Sequence, residues 1–118
     1  MARLTDAEQL TAYENALANH RFDGYITWTP VAAEWVRKNL DGLSMSDVAR
    51  RMYEYVVDQK GTVDRVKETR PEWSNHEYHY DLRFPVNGRS VYIETRLSYD
   101  DPDDPDDPTI LVANIHDV

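Results

Sequence analysis

The sequence predicts an α+β domain in which N-terminal helices pack on one face of a C-terminal antiparallel sheet of about four strands. Three observations carry this prediction. Residues 77–99 hold two alternating runs joined by Asn87-Gly88, the pattern of a β-hairpin. Met45, Val48, Ala49, Met52 and Val56 recur at the spacing of one helix face. Ile110, Leu111, Val112, Ala113 and Ile115 crowd the C-terminus with apolar groups on both faces, as in an interior strand.

Asn87-Gly88 supplies the two positive-φ residues of a type I′ turn, so Val86 should face Arg89 and the rest of the register follows. Phe84 is then opposite Val91, Leu82 opposite Ile93, Tyr80 opposite Thr95 and Tyr78 opposite Leu97, one apolar ladder in phase on both strands. The other face sets Arg83 against Tyr92, Asp81 against Glu94 and His79 against Arg96. Like charges directly across a sheet destabilise it, so Asp81 facing Glu94 calls for compensation, and Arg83 and Arg96 are each two residues away from an acid. A solvated face laced with weak ion pairs and a functional site are both compatible with this pattern.

The other elements follow in order. Thr5-Asp6-Ala7-Glu8 is a capping box that opens a helix from about Asp6 to Asn19, whose thin stripe of Leu10, Tyr13 and Leu17 predicts surface packing. Gly24-Tyr25-Ile26-Thr27-Trp28 reads as a short strand. Thr29-Pro30 starts a second helix, with Val31, Trp35 and Val36 on its buried side and Asp41-Gly42 as its stop. Ser44 caps the third, from Met45 to Gln59, which leaves Arg50 and Arg51 in solvent and ends on Gly61 at C′. Residues 62–69 predict a charged edge strand, and Arg70-Pro71-Glu72-Trp73 a loop whose Trp73 covers the rim of the core or offers a stacking surface. In the last strand Asn114 and His116 should share a face with Ile110 and Val112, so His116 would join His79 and Arg96 if that face is the hairpin's polar one.

At 118 residues the chain is one domain, large enough to bury a core unaided. It has no cysteine, which removes disulfides and thiolate metal sites, and no apolar run resembles a signal peptide or a membrane span. A soluble, cytoplasmic protein is expected. The net charge of −9 is unevenly spread. Residues 61–99 hold six basic and six acidic side chains, whereas residues 100–118 hold seven acids and no base. Most of that excess is three copies of Asp-Asp-Pro, which repulsion and proline keep extended. Lacking glycine, they make a poor calcium loop.

No glycine-rich phosphate loop, His-Glu-x-x-His or nucleophile elbow is present, and His20, His76, His79 and His116 lack metal-ligand spacing. No cofactor and no metal is expected. What the polar face does suit is metal-free RNA cleavage, with Glu94 or His79 as base, His79 or Tyr92 as acid, and Arg83 and Arg96 as phosphate clamp. The candidate catalytic residues are therefore His79, Arg83, Tyr92, Glu94 and Arg96.

The order of helix (30–39), helix (45–59) and antiparallel strands, through GLSMSDVARRMYEYV, YHYDLRF, RSVYIETRL and ILVANIHD, resembles the small bacterial toxin-like domains of the RelE, MqsR and BrnT type. The resemblance covers about residues 29–116 and implies a metal-independent ribonuclease fold paired with an antitoxin, with RNA as substrate. The chain departs from the basic character of many such toxins, with only Lys38, Lys60 and Lys67 as lysines. A second class therefore stays open: a non-catalytic acidic interaction module, antitoxin-, immunity- or inhibitor-like, that binds a basic protein partner. No membrane partner is expected, and the oligomeric state stays open.

Overall fold

The computed structural model describes residues 6–22, 24–74, 76–99 and 108–118. The predicted capping residue Thr5 and most of the Asp-Asp-Pro segment lie outside these residues. At the centre is the hairpin of β3 (Tyr78–Val86) and β4 (Arg89–Tyr99). Asn87 and Gly88 have φ of 52° and 78°, the pair of positive values a type I′ turn needs. The register is the predicted one from Val86↔Arg89 through Phe84↔Val91, Leu82↔Ile93 and Asp81↔Glu94 to Tyr80↔Thr95.

Around it are α1 (Asp6–Ala18), β1 (Ile26–Trp28), α2 (Pro30–Asn39), α3 (Met45–Tyr53), β2 (Asp64–Lys67) and β5 (Pro108–Asp117). The sheet has five strands in the order β1-β5-β4-β3-β2, and it is mixed rather than purely antiparallel. The fifth strand is β1, which pairs parallel to β5 from Ile26↔Ile110 to Trp28↔Val112. A three-residue strand carries too little pattern to show where in a sheet it belongs.

The helices cover one face, where Tyr80, Leu82, Phe84, Val91, Ile93, Ile110 and Val112 join a single core with Ala32, Val36, Val48 and Met52. Helix α1 is part of that core and does not lie on the surface as expected. Its buried stripe runs through Ala12, Tyr13, Ala16 and Leu17, and two of these are alanines that a count of large apolar groups overlooks, while Leu10 is exposed. The Tyr13 hydroxyl donates to Thr95 Oγ1 at 2.7 Å, and Thr95 Oγ1 donates to the Tyr80 carbonyl at 2.7 Å. Burial pushes the Tyr13 hydroxyl pKa up, so the hydrogen-bond chain satisfies a phenol that stays neutral.

Helix α2 begins as predicted with Thr29 as N-cap and Pro30 at N1, but Val31 points outward and Ala32 takes the core position. Helix α3 has the full capping box, Ser44 Oγ accepting from Asp47 N and Asp47 Oδ2 from Ser44 N. Rather than continuing to Gln59, its α-helical turns give way at Tyr53 to a π-helical turn over Glu54–Asp58. The left-handed residue that ends it is Lys60, with φ of 56°, not Gly61. Glycine is required at 61 because a Cβ there would collide with the Tyr55 ring. That ring is held against Phe84 with centroids 4.8 Å apart.

Strand β5 carries the second departure. Glu94 pairs with Asn114 and Thr95 with Val112, so Ala113 is an extra residue, a β-bulge. Ile110 and Val112 face the core, and the inserted residue puts Asn114 and His116 on the opposite face instead of beside them. Thr29 holds this bulge: its hydroxyl donates to the Ala113 carbonyl at 2.8 Å and accepts from Ala32 N at 3.2 Å. Its backbone N–H reaches the Val112 carbonyl at 3.0 Å.

Replacing Thr29 by Val should therefore remove a helix cap and a bulge anchor together. We expect a loss of about 2 kcal/mol in urea unfolding, with Thr29→Ser retaining most of the stability.

Candidate functional site

The sheet face away from the helices carries the polar residues that alternate with the core. Strand β3 contributes His79, Asp81 and Arg83, β4 contributes Tyr92, Glu94 and Arg96, and β5 contributes Asn114 and His116. Part of this face is not open. Residues 68–74, which follow β2, cross it as a strap containing a 3₁₀ turn at Pro71–Trp73. Trp73 does not cover the rim of the core. Its ring stacks on the Arg96 guanidinium, 4.4 Å from the centroid, on the polar side of the sheet.

Beneath the strap is a buried ion-pair network. Arg96 is wholly buried and bonds Glu94 Oε2 through Nη1 and Glu68 Oε1 through Nη2, the latter at 2.7 Å. Arg70 reaches the same Glu94 oxygen and comes within 3.5 Å of Glu68. Burial pushes the Glu94 carboxyl upward, but hydrogen bonds from Arg96 and Arg70 outweigh it and hold the group below the ordinary glutamate range. His79 stands between two carboxylates, with Nδ1 2.8 Å from Asp81 Oδ1 and Nε2 3.8 Å from Glu68 Oε2.

Beside the network opens a groove of about 410 Å³ lined by Arg83, Tyr92, Glu94, Asn114, His116 and Val118. A row of rings and charge crosses its floor. The Arg83 guanidinium lies 4.9 Å from the Tyr92 centroid, and Tyr92 stacks on His116 with centroids 4.7 Å apart. Burial and the hydrogen bond to Asp81 both push the Tyr92 hydroxyl up. Arg83 is exposed and pairs with Asp64 of β2 at 2.8 Å, so of the pair Arg83 and Arg96 it is Arg96 that meets an acid of the hairpin.

The five sequence-predicted residues thus share one face but fall into two environments. Arg83 and Tyr92 line the groove, His79 and Arg96 belong to the network, and Glu94 borders both. Glu68 and Arg70 complete the network and have no mark in the sequence, because a strap's destination has no periodic signature, whereas Trp73 takes the second of its two expected places, as a stacking surface. Asp81 was recognisable through its position opposite Glu94. Comparison with family models, with curated proteins and with solved structures found no match.

Chemically, most groups of the network satisfy one another, although Glu68 Oε2 and Arg96 Nε have no hydrogen-bond partner. Arg96 has no exposed side from which to hold a phosphate, and a Glu94 held ionised by two guanidiniums is a weak base. Removing Arg96 would strand Glu94 and Glu68 as buried anions, so Arg96→Met should destabilise by about 3–5 kcal/mol in urea unfolding. Arg83→Ala, in an exposed pair, should change stability by at most about 1 kcal/mol. Because the Glu94 pKa is depressed in the fold, its stabilisation is complete above the ordinary value of 4.5 and is lost as pH falls through the lower folded value. Urea titrations at decreasing pH should show that loss, and Glu94→Gln should flatten it.

Proposed function

We propose that this protein is a non-catalytic interaction module, antitoxin-, immunity- or inhibitor-like, that binds a basic protein partner through its acidic segment. The observation that carries this reading is the full burial of Arg96 between Glu94 and Glu68 under Trp73. Of the groups that metal-free RNA cleavage would draw on, His79, Glu94 and Arg96 are engaged in this network and serve the fold. The charge distribution supports the same reading, since the net charge of −9 is concentrated in residues 100–118. Such a segment attracts a basic surface over a Debye length and speeds encounter. No helix among the described residues is long and apolar enough to cross a membrane.

The toxin-like endoribonuclease is the second reading, and the groove favours it. Arg83, Tyr92 and His116 together offer a cation, an aromatic face and an imidazole to a nucleotide. His116 Nδ1 lies 2.8 Å from the Asp117 carbonyl, so in the neutral ring it donates there and Nε2 is the acceptor, available as a base.

Two measurements separate the readings. Purified protein should leave single-stranded RNA intact in EDTA, and cleavage that disappears in His116→Ala would establish the second reading instead. Replacing the six Asp of residues 100–107 by Asn should weaken capture of a basic partner by about tenfold or more while the circular dichroism spectrum is unchanged. Capture by the native chain should also weaken between about 0.1 M and 1 M salt. Capture insensitive to both changes would overturn the first reading.

A further inference from the structure

Asp81 and Glu94 are directly opposite on β3 and β4, and both are buried. Two carboxylates at one buried cross-strand position repel each other and need positive charge between or beside them. The guanidiniums serve Glu94, whose Oε2 takes both Arg96 and Arg70. Among the described residues, Asp81 meets the Tyr92 hydroxyl and His79 Nδ1 and takes no guanidinium hydrogen bond. A third carboxylate, Glu68, gives Oε1 to Arg96, while its Oε2 has no hydrogen-bond partner although the side chain is 2% exposed. That orphan oxygen faces His79 Nε2 across 3.8 Å, too far for a hydrogen bond.

Three carboxylates face two guanidiniums here, and the count balances only when the His79 imidazole also carries its second proton. The donor atoms of His79, Asp81 and Glu94 all lie within 4.8 Å of one another, slightly wider than the roughly 4.0–4.4 Å that two ligands at about 2.0–2.2 Å from one ion can span, so the side chains would draw together around it. From this geometry we propose that His79, Asp81 and Glu94 form a binding site for one divalent first-row transition-metal cation, with Glu68 Oε2 turning in as a further ligand from the strap. The imidazole nitrogen selects the chemical class, because magnesium and calcium take oxygen ligands while one nitrogen with carboxylates suits zinc or manganese. Arg96 and Arg70 keep Glu94 Oε2, which leaves Oε1 for the ion. The groove bordered by Glu94 gives the ion access from solvent. Its role is structural: it joins the strap to β3 and β4 at the point where buried anions are closest. This inference is independent of whether the acidic segment binds a partner or the groove binds RNA.

The test uses the full chain after chelator treatment, titrated with Co²⁺ and Zn²⁺ by calorimetry and by Co²⁺ visible absorption. One equivalent should bind, with affinity reduced about 10–100-fold in Asp81→Asn and in Glu68→Gln. Glu68→Gln keeps the oxygen that meets Arg96 and sits on the strap, so it tests the site even if Asp81→Asn fails to fold. In a ¹⁵N NMR spectrum of the native chain, Mn²⁺ should first broaden the amides of residues 79–81 and 94. The proposal is overturned by absence of binding up to about 1 mM, a weak-binding limit. Undiminished affinity in a folded Glu68→Gln overturns it too, as does Mn²⁺ broadening confined to residues 100–107.

Discussion

The fully buried guanidinium of Arg96 is the constraint from which the outer half of this molecule follows. Hairpin register leaves Arg96 no choice of side: with Thr95 turned into the core against Tyr13, its neighbour must point the other way. An isolated charge cannot be taken out of water without partners that restore most of its solvation. Glu94, two residues earlier on the same strand, supplies one. The other, Glu68, lies outside the hairpin, so the chain between β2 and β3 has to cross the face to deliver it. Trp73 closes over the flat of the guanidinium, where its ring face is attracted to the cation and keeps water out. The strap is therefore the solvation shell that this arginine lacks.

A buried network of this kind is weak support for stability, since apolar replacements of similar shape often do as well. Its effect is on specificity of structure. Each acid has one arrangement in which it meets its base, and a strap docked one residue out of step would leave Glu68 unpaired. The same engagement divides the polar face into a sealed part and an open part. Groups under the strap are held in place and removed from solvent, while Arg83, Tyr92 and His116 stay accessible. A ligand too large to pass beneath the strap meets the second set, and this separation decides how the face is to be read functionally.

The hairpin was legible in the sequence because a two-residue turn leaves the register no freedom. Every pair from Val86↔Arg89 to Tyr80↔Thr95 follows from Asn87-Gly88 alone. Helix α3 was legible for a similarly local reason, its capping box and apolar stripe being set within a dozen residues. What escaped notice depends on distant partners. The burial of α1 rests on small alanines that become core only when β5 lies beneath them. Lys60, not Gly61, takes the left-handed turn, because Gly61 is required by an aromatic ring and not by its own φ. The parallel pairing of β1 with β5 joins residues more than eighty positions apart and leaves no mark in either. Of the candidate site, the ionisable face was legible and its cover was not.

The bulge at Ala113 shows how far apart cause and consequence can be. In a strand without it, Asn114 and His116 would continue the alternation of Ile110 and Val112 and point into the core, where an unpaired carboxamide and imidazole are costly. One extra residue shifts the phase of everything after it, so Ile115 fills the core and His116 stacks on Tyr92. The bulge frees a carbonyl from the ladder, and an unpaired buried carbonyl needs a donor. That donor is the hydroxyl of Thr29, at the junction of β1 and α2, which also caps the helix. The identity of the residues lining the groove at the end of the chain thus depends on a threonine near its beginning. A substitution there would alter the groove without touching any residue in it.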